Sequence, residues 1–581
     1  MFVDQFIAGS LQFFSALFIF CIGTAAAVAF ALFVVDVSQT RDAVRRNYPV
    51  LGRFRYLFSM LGEFFRQYFF AMDREEMPFN RAEREWVDRS AQAHDNTVAF
   101  GSTKNLSPAG TLIFVNFPFP TLSEQAVEMI PLTIGRYCRQ PYTAPSFFNI
   151  SGMSYGALST PAVRALSKGA AMAQCWLNTG EGGLAPYHLE GGCDVVFQIG
   201  TAKYGVRDDN GVLCDDKLRE VAAHESVKMF ELKLSQGAKP GKGGILPAAK
   251  VTKEIAEIRG IPAGADSISP NRHPEVSNVS ELIDLISRIR EVTGKPVGFK
   301  SVFGDFDWLR DICLEVHARG IEHAPDFITV DSGDGGTGAA PMPLMDNVGL
   351  PIREALPAVT DVLKIHGLNN RIRVIASGKL ITPSEVAWAL ATGADFVTSA
   401  RGFLFSLGCI QSLKCNKNTC PTGITTHNPR LQRGLNPADK SVRVANYCKK
   451  LIYEVQTISH SCGVTRPRLL QRNHVRIVQE TGKSVPMSVL YPHPATLPQY
   501  VEAAGQAAPA LEGIFSEDSE ALYDMFRTQR SVVQHLYDKG YASIDIARFL
   551  GQRAAKIDEL LAEETRGSNF AAMDQRRRQE S

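Results

Sequence analysis

Between residues 145 and 400 the chain repeats one pattern: a short apolar run, a glycine-bearing turn, then a helical stretch. The runs are Ser146–Ser151, Cys175–Thr179, Asp194–Ile199, Met229–Leu234, Val297–Val302, Phe327–Ser332, Arg373–Ser377 and Asp395–Ser399. Runs this short and apolar read as strands of a parallel sheet covered by helices on its faces. Ser280 is placed to cap a helix that carries Leu282, Ile283, Ile286 and Ile289 on adjoining turns. Pro383 opens another helix, which Gly393 ends. Eight such units predict an α/β fold, a (β/α)8 barrel, with a doubly wound sheet as the alternative.

The turns after the runs carry the functional information, because the C-terminal ends of barrel strands build the active site. The first run leads into Ser151, Gly152, Met153, Ser154, Tyr155 and Gly156, and the second ends in Thr179, Gly180, Glu181, Gly182 and Gly183. The fourth leads into Gln236, Gly237, Ala238, Lys239, Pro240 and Gly241. The sixth ends in Ser332, Gly333, Asp334, Gly335, Gly336, Thr337 and Gly338, the seventh in Ser377, Gly378 and Lys379. Glycines there let backbone N–H groups approach a ligand closely. Gly333, Gly335 and Gly338 have dinucleotide-fingerprint spacing, but that motif must open a helix. Pro341 and Pro343 come directly after it, so a Rossmann site is rejected. Barrels hold phosphate on the loops after strands seven and eight. Gly378 and the turn Ser399, Ala400, Arg401 fit that task.

The chain has 581 residues, with Lys+Arg 62 against Asp+Glu 60. That balance gives no footprint for nucleic-acid binding. Eleven cysteines at irregular spacing make a poor disulfide framework and suit a reducing compartment. No charged residue lies between Asp4 and Asp36, and about 20 apolar residues span a bilayer. Residues 1–40 are read as a transmembrane anchor, against the alternative of a buried core helix. Arg41, Arg45, Arg46, Arg53 and Arg55 come after the span, which predicts a single-pass protein with its large C-terminal part in the cytoplasm. Residues 41–94 form a juxtamembrane segment. Within it, Phe54–Met72 reads as an amphipathic helix on the membrane surface or packed on the globular part.

Cys409, Cys415 and Cys420 stand at C-x5-C-x4-C, with Pro421 next in the chain. Spacing alone admits an iron–sulfur cluster lacking one corner, a zinc site completed by His427, or three unrelated core cysteines.

Five segments, taken in order, resemble the synthase domain of glutamate synthase. They are Ser151–Ser159, Asn178–Gly183, Gln236–Gly241, Asp334–Ala339 and the pair Cys420, Pro421. The resemblance covers about residues 95–480. It implies an FMN-binding barrel with a 3Fe-4S cluster on Cys409, Cys415 and Cys420, in the manner of short membrane-anchored bacterial proteins of this type. It further implies Lys239 and Glu181 as catalytic residues and Arg259 as the group that binds the oxoacid carboxylate. Without it, Lys239 reads as a surface lysine and Arg259 as a helix C-terminal arginine. Ser154, Gln198, Lys300, Ser332, Gly335, Gly336, Thr337, Gly338, Ser377, Gly378, Ser399, Ala400 and Arg401 are the implied FMN-contacting positions.

The chain also departs from the family. Lys242 and Ile245 stand where the family loop carries Glu and Gln, and Asn271, Arg272, His273 and Pro274 replace paired histidines. Ile245 therefore weakens the expectation of 2-oxoglutarate as substrate. Met1-Phe2 leads into the span, so no glutaminase domain with an N-terminal cysteine is expected, nor a β-helical C-terminal domain.

The implied reaction condenses a 2-oxoacid, 2-oxoglutarate first, with ammonia and reduces the resulting 2-imino acid to an amino acid. Electrons would come from ferredoxin or a membrane redox protein. Two other readings stay open: an N-methylglutamate-synthase-like or otherwise substrate-divergent flavoenzyme, and a non-catalytic membrane redox relay. Residues 430–480 are expected to close the barrel as helices. Residues 481–581 are expected to hold a linker near 500–513, a helical extension with a faint helix-turn-helix pattern at Gly540–Ala547, and a disordered tail.

Overall fold

The computed structural model of the chain describes residues 2–39, 42–65, 72–126, 129–497 and 500. It divides into two compact units, Met1–Glu85 and Trp86–Ser581. The expected linker, helical extension and tail at 501–581 lie outside the described residues.

The first unit begins with α1 (Phe2–Ser38), whose stretch Gly9–Ser38 is long and apolar enough to cross a membrane. Its large apolar side chains, Phe14, Phe18, Phe20 and Phe30 among them, are exposed. Then come α2 (Ala43–Asn47), capped by the Asp42 carboxylate, and α3 (Leu51–Phe65). Asp36 near the end of α1 is fully buried and gathers the turn. It accepts from Arg45 Nη2 at 2.7 Å, Arg53 Nη2 at 2.7 Å and the Val50 N–H at 3.1 Å. Helix α3 starts three residues before the expected Phe54, because Leu51 and Gly52 already turn onto α2. A Cβ on Gly52 would stand 2.9 Å from the Val44 carbonyl oxygen. Residues 66–71 of the expected helix are outside the described residues. Leu51, Phe54, Phe58, Leu61 and Phe65 are exposed at helical spacing along α3.

The second unit is built on a closed parallel barrel. Its strands are β1 (Phe148–Ile150), β2 (Leu177–Asn178), β3 (Val195–Ile199), β4 (Val227–Lys233), β5 (Val297–Val302), β6 (Phe327–Asp331), β7 (Arg373–Ser377) and β8 (Phe396–Ser399). Each pairs with the next and β8 returns to β1. All eight expected runs are strands, and the doubly wound alternative falls because the sheet closes.

Side chains fill the barrel in layers. At the N-terminal end Trp176, Val196, Met229, Phe327, Ile375 and Phe396 form an apolar floor. The hairpin Leu132–Ile134 with Tyr142–Ala144 packs into the same cluster, giving it Ile134, Tyr142 and Ala144. Above the floor the lining turns polar, with Asn178, Glu231, Lys300, Thr329 and Thr398 around a small cavity. Apolar burial thus holds one end of the barrel while the other end is left for chemistry.

Two expectations change. Ser280 is the second residue of its helix, Val279–Thr293; Asn278 is the cap, its side chain accepting from the Glu281 N–H at 2.9 Å. Leu282, Ile283, Ile286 and Ile289 are buried as expected. Residues 430–480 are not all helical. The long helix Pro437–Ser461 packs on Thr160–Ala173, where a Cβ on Gly169 would lie 2.5 Å from Val444. Val475–Val478, however, is the central strand of a three-stranded antiparallel sheet with Leu112–Phe114 and Ser484–Pro486. The basic residues His474 and Arg476 obscure its apolar alternation.

Candidate active site

The strand C-termini surround an open cavity. Its lining includes Ser151, Gly152, Gln198, Lys300, Gly336, Ser377, Gly378, Ser399, Ala400 and Arg401. Of the expected cofactor positions, Gln198, Lys300, Gly336, Ser377, Gly378, Ser399, Ala400 and Arg401 therefore converge on one space. Ser154, Ser332, Gly335, Thr337 and Gly338 do not line it. The Ser332 hydroxyl donates to Asp334 and accepts from the Ile352 N–H at 2.9 Å, a task internal to the loop. Thr337 Oγ1 accepts from Gln236 Nε2 at 3.2 Å, and its carbonyl accepts from Arg401 Nη2.

Glycine is needed at this mouth for space. Gly378 has φ +115°, and a Cβ there would stand 2.3 Å from Ser332 Cβ. At Gly237 a Cβ would meet the Ser332 carbonyl oxygen at 2.3 Å, so the loop after β4 lies directly on the loop after β6. The Gly237 N–H donates to Asp331 Oδ2 at 2.9 Å and fastens the two.

Four cations, Lys233, Lys300, Lys379 and Arg401, line the cavity beside one carboxylate, Asp331. Lys300 pairs with Asp331 at 3.2 Å, and Lys379 with Asp334 at 2.7 Å. Lys233, Gln236, Asp331 and Lys379 are site residues that sequence reasoning misses. Lys233 and Asp331 end their strands and point inward by the two-residue period, a signal the sequence does contain.

The two expected catalytic residues share one electrostatic field. Glu181 is partly buried, and Lys233 Nζ stands 2.8 Å from its carboxylate. Burial pushes the Glu181 carboxyl up, but Lys233, Lys239 and Arg259 outweigh it, so its pKa lies below the ordinary value. Gly200 and Gly244 make room: a Cβ on either would come within 2.7 Å of a Glu181 oxygen. Lys239 is buried rather than a surface lysine. Burial, with the like charge of Lys233, pushes its ammonium down to about 8 against the pull of Glu181.

Arg259 ends the helix Lys253–Arg259 but is buried, behind the loops after β1 and β2. Its Nη1 donates to Ser267 Oγ at 3.1 Å and its Nη2 to the Tyr155 carbonyl at 3.2 Å. Its Nε is buried without a partner. Ile245 pairs with Ile268 in a short two-stranded antiparallel sheet, and both are exposed.

Cys409, Cys415 and Cys420 lie on the loop beyond the helix Arg401–Ser406. Gln411, Leu413 and Asn418 have φ near +55°, so the loop curls on itself. Arg401 Nη1 donates to Cys415 Sγ at 3.9 Å, and buried Lys250 donates to the Cys415 carbonyl at 3.3 Å. Burial pushes the Cys420 thiol up, but hydrogen bonds from Thr422 and Thr425 lower it overall. Among the described residues, no three His, Cys, Asp or Glu side chains are grouped to hold a metal ion. His427 Nε2 bonds the Gly156 carbonyl at 2.9 Å.

Comparison with known proteins places this geometry. The conserved region in glutamate synthase matches residues 121–465. The glutamate synthase large subunit-like protein YerD of Bacillus subtilis is 39% identical over 512 residues, 81% of this chain and 97% of that one. An archaeal-type glutamate synthase (NADPH) of Thermotoga maritima is 34% identical over 325 residues. That match covers 56% of this chain and 60% of the relative, so the chain spans only part of that enzyme's length. Among solved structures, the flavin-binding domain of baker's yeast flavocytochrome b2 overlays with a TM-score of 0.39 at 14% identity, over 70% of this chain and 83% of that one. The matched segment contains the barrel, the cavity, the Glu181–Lys233 pair and the cysteine loop, and the chain belongs to the glutamate synthase family.

Proposed function

We propose that the chain is an FMN-dependent oxidoreductase that reduces a 2-imino acid, formed from a 2-oxoacid and ammonia, to an amino acid. The observation that carries this is the convergence of Lys233, Lys300, Lys379 and Arg401 on one cavity, which suits an anionic cofactor and a carboxylate substrate; the three lysines are ion-paired, and among the described residues Arg401 has no carboxylate partner. FMN fits the residues present. Arg401 and the turn from Ser399 favour its phosphate, Gly152, Gly336 and Gly378 line the cavity without side chains, and Lys300 offers a cation to the ring.

When bound, FMN supplies hydride chemistry. The chain's own residues do the rest. Glu181, held ionised by Lys233, stabilises positive charge on the substrate nitrogen. Lys239, with its pKa near 8, holds a proton that it can give up near neutral pH. Arg259 is the proposed partner of a substrate carboxylate by its family position, although it is buried behind the loops after β1 and β2 and does not line the cavity. 2-Oxoglutarate is the first substrate to test. A substrate-divergent flavoenzyme is the second reading, favoured by the exposed Ile245 at the family's glutamine position.

The same proposal includes a 3Fe-4S cluster. The three thiols fit by kind and number, and the curled loop and the Arg401 contact suit thiolate charge, although the sulfurs are not grouped for a metal. Ferredoxin or a membrane redox protein would be the electron donor, and α1 the anchor that keeps the barrel on the cytoplasmic face. The test is anaerobic turnover with reduced ferredoxin, ammonia and a panel of 2-oxoacids. Amino-acid formation supports the reading; no product from any oxoacid leaves the relay in its place.

A further inference from the structure

Glu231 lies in the middle of β4, 3% exposed, among the polar side chains just below the cavity. Three donors converge on it. Asn178 Nδ2 donates to Glu231 Oε1 at 2.8 Å, Gln198 Nε2 to the same oxygen at 2.7 Å, and Thr329 Oγ1 to Oε2 at 2.6 Å. Thr329 reaches it from β6, past β5, because the β5 residue paired with Glu231 is Gly298.

A carboxylate only accepts, so this convergence fixes the sense of both amides. Asn178 is fixed twice: its Oδ1 accepts from the Gly180 N–H at 2.9 Å. Gln198 is fixed once. With Nε2 committed to Glu231, its other amide atom is an acceptor, and among the described residues nothing donates to Gln198 Oε1. Gln198 lines the cavity. The cavity therefore carries an acceptor that a ligand N–H must satisfy, beside the Lys300 cation that suits a ligand carbonyl.

We propose that Glu231 is a positioning residue that holds Gln198 as an acceptor, so that the mouth reads the imide N–H of a flavin ring. In the oxidised isoalloxazine, N3–H is the only ring N–H, and carbonyls flank it. The inference rests on the FMN reading and adds to it the group that selects the ring edge. Glu231 itself does not touch the ligand.

The test uses the intact protein stripped of flavin and titrated with FMN and with N3-methyl-FMN, which lacks that hydrogen. Wild-type protein is expected to bind FMN at least about tenfold more tightly, the cost of leaving a buried acceptor unpaired. Equal affinities overturn the inference without any variant. Binding of neither flavin overturns the FMN reading beneath it, and the inference with it.

In E231M no acceptor faces the Gln198 amide, which is released, and the N3–H resonance of ¹⁵N-labelled FMN should lose its downfield shift and its protection from exchange. An unchanged resonance overturns the role of Glu231. The exchange Q198E with E231Q restores one carboxylate bonded to one amide and again presents an acceptor at position 198. It should recover FMN affinity relative to E231M. A merely structural loss at Glu231 would not be rescued in this way.

Discussion

Lys233 Nζ stands 2.8 Å from the Glu181 carboxylate and ties the end of β4 to the loop after β2. Strand β3 lies between them, so the pair depends on the order in which β2, β3 and β4 stand side by side. Lys233 lowers the pKa of Glu181 and helps to push down that of Lys239. One side chain thus sets the charge of two others.

Lys233→Met removes the main offset to Glu181 burial. The carboxyl should then titrate at higher pH, and turnover at neutral pH should fall on the order of 10²–10³-fold if Glu181 stabilises developing charge. Rate measured against pH in both proteins checks this. An unshifted acid limb would show that Glu181 is not the group seen.

Lys239 gives a second pH dependence. Its ammonium form is populated below about 8 and lost above it. If it supplies a proton, kcat should fall as pH rises through about 8. Lys239→Arg, whose guanidinium does not titrate there, should flatten that limb. Lys239→Met should abolish turnover while FMN content stays at the wild-type level.

Gly378 tests the cradle. Alanine would bring a φ of +115° and a Cβ 2.3 Å from Ser332 Cβ. We expect a loss of about 1–3 kcal/mol in stability and a reduced FMN stoichiometry, read by thermal unfolding and flavin absorbance. Wild-type stoichiometry would place the flavin elsewhere.

Metal content decides the cysteine loop. Anaerobic preparations should carry about three irons per chain, the number that a three-thiolate cluster lacking one corner holds. Cys415→Ala should lose them and keep FMN. One equivalent of zinc without iron would remove the cluster from the proposal.

A reporter fused at the C-terminus should behave as cytoplasmic, given Arg45 and Arg46 after α1. Deleting residues 1–36 should release the protein from membranes unless α3 still holds it there. Sedimentation with and without α3 separates the two contributions.

Much of the site is legible in the sequence because strand ends and glycine-rich turns are local patterns. Gly378 and Arg401 are found from their turns, and Gln198 and Lys300 from the family resemblance. Ser332 is not, because its hydroxyl turns to Asp334 and the Ile352 N–H, partners that sequence position does not reveal. Asn278 takes the cap from Ser280 through one backbone conformation. Val475–Val478 becomes a strand through pairing with Leu112–Phe114, more than 350 residues earlier in the chain.

The sequence by itself determined eight buried strands, their helical crossovers and the residues that punctuate them, because apolar periodicity and turn chemistry act over a few residues. It also determined the apolar span and the basic turn after it. Tertiary structure alone decided which charges meet. Glu181 stays ionised through Lys233, Lys239 and Arg259, three cations from other segments. Glu231 directs Gln198 from the neighbouring strand. Both depend on strand pairing within the barrel, which brings polar groups distant in sequence into a space where little water remains to screen them.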